Sequence, residues 1–122
     1  LITLGGCKPK LPFKIDFELA PGIVIGQENC SNDPSKNAWL IQLTKPSAGG
    51  RTFGNEITYN NIKYVNVVKT YNLADAYKNI GKTYSFHFYL DASPVKQQCE
   101  VQTPITFDIL NIRIKEVGIL VN

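Results

Sequence analysis

Apolar residues recur every second position along most of this chain, and they are predominantly β-branched or aromatic, which is the pattern of half-buried strands. The clearest case is Lys82 to Leu90, where Tyr84, Phe86, Phe88 and Leu90 alternate with Ser85, His87 and Tyr89. Gly22 to Glu28 and Ala38 to Leu43 predict two shorter strands on either side of a loop that carries Cys30. Ile57 to Lys69 reads as a hairpin or bent strand pair around an Asn60-Asn61 turn. In Ile105 to Glu116, Ile105, Phe107 and Ile109 share one parity while Leu110, Ile112 and Ile114 take the other, so a bulge or bend is expected between Asp108 and Asn111.

Helical spacing occurs once. Leu73, Ala76 and Tyr77 stand at i, i+3 and i+4, with Asn72 as N-cap and Gly81 as stop, so a short helix is expected over Leu73 to Lys78. Thr44 to Asn55, in which four of twelve residues are Gly or Pro, reads as a mobile loop beside a partner surface. Five strands with a helix between the third and fourth is the order of a small OB-like β-barrel. An immunoglobulin-like β-sandwich is the alternative, disfavoured by the helix and by too few turn signals.

At 122 residues the chain supports one domain, and 43% hydrophobic against 19% charged residues is the composition of a folded one. The formal charge of +3 is spread without runs, so no polybasic patch points to nucleic acid. No apolar stretch approaches the ~18 residues of a membrane helix. The first residues change the picture more. Leu4-Gly5-Gly6-Cys7 has the aliphatic, small, small, cysteine order of a lipobox, and a polar, Pro-containing stretch follows. Residues 1 to 7 are therefore read as the end of a lipoprotein signal peptide with Cys7 as the lipidated residue, residues 8 to 14 as a tether, and residues 15 to 122 as the domain. Lipidation of Cys7 leaves Cys30 and Cys99 as a pair that an oxidising envelope would join. Two separate buried thiols, or a metal site, are the other readings of that pair; zinc would want four closely grouped ligands, and two Cys with one His far apart do not supply them.

Gly22-Ile-Val-Ile-Gly, Cys30, Trp39-Leu-Ile-Gln-Leu, Tyr64-Val-Asn-Val-Val, the Leu73 segment, Gly81-Lys-Thr-Tyr-Ser-Phe, Cys99 and the closing Ile109 to Val117 strand together resemble the small lipoproteins of Bacteroidetes. The resemblance spans Gly22 to Val117 and implies a lipid anchor, a tether and an OB-like barrel; its motifs are structural and bring no catalytic residues. Lys8-Pro9-Lys10 departs from the acidic residues that follow the lipidated cysteine in surface-displayed members, which favours an outer-membrane lipoprotein facing the periplasm.

Catalytic constellations are sparse. Gly81-Lys82-Thr83 fails as a P-loop because position 76 is alanine and the order runs helix to strand. His87 stands alone, without a nucleophile elbow, and is read as an exposed strand residue. Asp16 and Glu18 share a face but are read as solvated acids on a strand edge. Trp39, in an apolar run, is read as core. Asn29-Cys30-Ser31 fits a glycosylation pattern that a bacterial lipoprotein would not use. The remaining resource is aromatic: Tyr59 and Tyr64 beside Lys63 and Lys69 form a candidate ligand face, and Arg51 and Phe53 are candidate anchors in the Thr44 to Asn55 loop. The expectation is a non-enzymatic, lipid-anchored envelope protein without cofactor or metal, acting as an accessory or structural subunit of a larger assembly. Its partners would be the membrane, through Cys7, and other envelope proteins rather than nucleic acid. The alternative is a small-ligand or glycan-binding module using the Tyr-rich face.

Overall fold

The computed structural model describes residues 17–92 and 98–120. Six strands form one open, twisted sheet: β1 (Glu18–Gln27), β2 (Trp39–Leu43), β3 (Asn55–Tyr59), β4 (Ile62–Thr70), β5 (Thr83–Leu90) and β6 (Ile112–Ile119). Their order across the sheet is β3-β4-β2-β1-β5-β6, and every neighbouring pair is antiparallel. The expected five-stranded closed barrel is thus corrected to six strands in an open sheet. The extra strand comes from the Ile57 to Lys69 segment, which folds back fully because Asn60 and Asn61 both adopt positive φ, 52° and 66°, as the tightest right-twisting hairpin turn requires. A single sheet also sets the molecule apart from the sandwich alternative.

Period two gives each strand an inner face, and the registers align those faces. Ala20 lies opposite Phe86, Val24 opposite Ile41, Ile41 opposite Val68 and Phe88 opposite Ile114. With Leu43, Leu73, Tyr84 and Ile112 these residues form the main core, against which Trp39, Phe53, Tyr77 and Val117 pack. A second, smaller core lies on the other face of the β2–β4 half, where Ile25, Leu40, Ile57 and Val67 are buried beneath Tyr59, Tyr64, Phe107 and Ile109. The sheet is therefore covered on both faces at one end and on one face at the other.

Ile105 to Glu116 is not one long strand. The parity switch marks the point where an irregular segment ends and β6 begins, with isolated bridges from Ile105 to Asn29 and, in parallel sense, from Asn111 to Lys69. The helix expected over Leu73 to Lys78 shrinks to a 3₁₀ turn, Asp75–Tyr77, because its proposed cap is engaged elsewhere. The Asn72 carboxamide donates to Ile114 O and accepts from Ile114 N, both at 2.9 Å, and thereby pairs with the β6 edge as a strand would. A second 3₁₀ turn, Pro34–Lys36, is capped by the Asp33 carboxylate.

The segment read as a mobile loop is folded. Ser47, buried, accepts from Arg51 N through its hydroxyl, Ala48 N reaches Leu19 O at 2.8 Å, and Thr44 N reaches Pro21 O at 3.0 Å. Gly54 closes the segment at φ +108°, where a Cβ would meet the Asn66 carbonyl carbon at 2.4 Å. Only glycine meets both demands.

Candidate functional site

Two regions gather polar chemistry: the Cys30 loop with the segment that crosses it, and two buried, ion-paired carboxylates at the ends of β1. Cys30 and Cys99 are joined by a disulfide, as the cysteine count predicts. The bond ties the β1–β2 loop to the segment preceding β6, and the loop is then fixed by side chains rather than by regular structure. Asn37, buried, accepts from Cys30 N at 3.0 Å and Ser31 N at 2.7 Å, and donates to Ser31 O. Glu100 accepts from the Ser31 hydroxyl and from Asn32 N, both at 3.0 Å. Those two bonds hold its carboxyl below the usual glutamate range, the Asn32 amide contributing most. Beside the staple lies an open groove of about 430 Å³. Gln27, Asn29, Asn32, Tyr59, Ile80 and Val101 line it. Among the described residues the carboxamides of Asn29 and Asn32 have no hydrogen-bond partner, and Ile80 is 66% exposed.

The residues singled out from sequence do not converge on one face. Tyr59 turns inward, its ring edge-on to Phe107 at 6.1 Å and its hydroxyl between Gln27 N and Gln27 O at 3.3 and 3.4 Å. Its ring lies where a side chain on Gly26 would be, which explains the glycine there. Tyr64 packs on the second core. Lys69 is not a surface cation: its ammonium binds Glu28 at 2.9 Å and Phe107 O at 2.7 Å, and the same Glu28 oxygen accepts from Phe107 N at 2.7 Å. Glu28 and Lys69 thus clamp the crossing segment onto the outer sheet face. The role of Glu28 was missed from the sequence; its signal was a lone acid at the end of the Gly22 to Glu28 strand. Lys63 is exposed and pairs with exposed Glu56 at 3.4 Å.

Arg51 and Phe53 lie at the other end of β1. The guanidinium pairs with the Glu18 carboxylate and sits 5.1 Å from the Phe53 ring centroid; Phe53 in turn meets Phe88 edge-on at 5.9 Å. Glu18 is consequently a buried, paired acid in a central strand, not a solvated edge acid. Asp16, Cys7 and the tether of residues 8 to 14 lie outside the described residues. His87 is partly exposed on the outer face, with its Nδ1 3.9 Å from a Glu116 oxygen. Trp39 packs against the main core and carries a buried indole N–H with no acceptor among the described residues. No group of three or more His, Cys, Asp or Glu among the described residues could hold a metal ion. No described helix is long and apolar enough to cross a membrane. Compared with protein-family models, curated proteins and solved structures, the chain matches none.

Proposed function

We propose that this chain is a lipid-anchored, non-enzymatic module of a bacterial envelope, related to the small lipoproteins of Bacteroidetes, serving as an accessory subunit in a membrane-associated assembly. The observation that carries the reading is the inward commitment of the aromatic face. Tyr59, Tyr64 and Lys69 are used to bind the 105–110 segment to the sheet, so they serve as scaffold rather than as a ligand platform. The disulfide supports export, since such bonds persist in oxidising compartments. Without β3, the remaining strands run in the order third, second, first, fourth, fifth, with the 3₁₀ turn between third and fourth and a parallel bridge from Lys69 to Asn111 drawing third and fifth together. A partly open OB-like barrel is the architecture that this order supports.

Glycan binding is retained as a second reading because of one feature, the groove beside the disulfide, whose carboxamides, hydroxyl and exposed aliphatic surface suit an uncharged polyol. Crosslinking in intact cells, followed by purification of the acylated protein, separates the two. A single stoichiometric envelope protein bound to the wild-type chain supports the accessory role; a monomer that instead retains oligosaccharide, lost on Asn32→Ala, supports the second reading.

A further inference from the structure

The outer face of the sheet is covered over β4, β2 and the C-terminal part of β1, where Ile23 and Ile25 join the second core; among the described residues it is left open over the start of β1, β5 and β6. Phe17 lies 4.7 Å from the His87 ring and 5.0 Å from the Tyr89 ring, with the Lys115 ammonium 4.5 Å above it. Leu19, 46% exposed, stands opposite His87 in the register, and exposed Arg113 stands opposite Tyr89. The acids on this face are Glu116, near His87, and Asp91, near Arg113 at 3.8 Å. Aromatic rings and an aliphatic side chain framed by long cationic ones are the composition found where proteins meet the headgroup region of a bilayer.

With Cys7 acylated, the chain keeps this face within reach of a bilayer. From Cys7 to Phe17 the backbone spans at most about 35 Å, and Phe17 is itself the centre of the patch. The intervening residues carry Lys8, Lys10 and Lys14 against a single acid, Asp16. We infer that the β1–β5–β6 outer face docks on the anionic surface of the membrane that holds Cys7, with Lys115 and Arg113 at lipid phosphates and Phe17, Leu19 and Tyr89 at the interface. Only the position of the bilayer rests on the anchoring reading; the patch itself does not.

The test uses the 122-residue chain with Cys7→Ser, which removes the lipid and so separates this proposal from the anchor. The chain is floated with vesicles of phosphatidylcholine alone and of phosphatidylcholine mixed with phosphatidylglycerol. Flotation is expected only with the anionic vesicles, weakening as salt rises. Lys115→Glu should reduce it by ~5-fold or more, and Tyr89→Ser should reduce it as well, whereas Lys36→Glu, on the Cys30 loop, should leave it unchanged. Unchanged thermal midpoints would show that Lys115→Glu and Lys36→Glu keep the fold. Absence of flotation with anionic vesicles, equal losses for Lys115→Glu and Lys36→Glu, or self-association in solution that Lys115→Glu abolishes would each overturn the assignment.

Discussion

Two carboxylates at the ends of β1 decide how the chain closes on itself. Glu18 faces the main core and is neutralised by Arg51, while Glu28, almost fully buried, is neutralised by Lys69. Removing the cation that faces a buried carboxylate leaves its charge uncompensated, which costs more than the pair itself contributes. Arg51→Ala should therefore lower stability by about 1–3 kcal/mol, and Glu18→Gln in the same chain should restore part of it; denaturant unfolding of the two variants checks this. Lys69→Ala should have a further, local signature. It removes the donor to Phe107 O and strands Glu28, so amide hydrogen exchange across residues 105–110 should accelerate more than exchange in β5. These roles were hidden in the sequence for a physical reason. Period two shows which side of a strand a residue takes, but not whether another segment crosses that side, so Tyr59, Tyr64 and Lys69 read as a surface until the crossing segment is in place.

At the level of elements, strands were legible wherever alternation was supported by turn chemistry. The β5 pattern and the Asn60-Asn61 hairpin are both present, since each is determined within a few residues. The expected helix was not, because a single i, i+3, i+4 triplet cannot nucleate a helix when its cap is drawn into another bond, here from Asn72 to Ile114. The 105–111 segment reads as strand from its apolar residues, yet it serves as a cover, held by side chains distant in sequence.

The Cys30 loop makes the same kind of long-range tie and is testable by acid. Hydrogen bonds from Asn32 and Ser31 hold the Glu100 carboxyl below its ordinary range. A lowered acid stabilises the fold above the ordinary glutamate pKa, and that stabilisation is lost as pH falls through the folded value. The amide resonances of Ser31 and Asn32 should therefore titrate below the usual glutamate range, and Glu100→Gln should flatten the curve. Replacing Cys30 and Cys99 together by serine should cost roughly 4 kcal/mol in the chain-entropy account of a 69-residue separation. Thermal melts of oxidised wild type and of the double variant measure that difference.

The whole molecule is a sheet with unequal faces. One face carries the main core, and the other is divided between a strapped second core and a bare aromatic and cationic area around Phe17. The bare area lies at the N-terminal end of β1, and the disulfide groove, lined by Gln27 and Asn29, lies at the strand's other end. The proposed anchoring depends most on Cys7, so the decisive measurement is mass spectrometry of the mature protein recovered from the membrane fraction of cells expressing the full-length precursor. Cys7 is expected to be the first residue and to carry a thioether-linked diacylglycerol. A membrane-free protein with an unmodified Cys7 thiol, still preceded by Leu1 to Gly6, would contradict it.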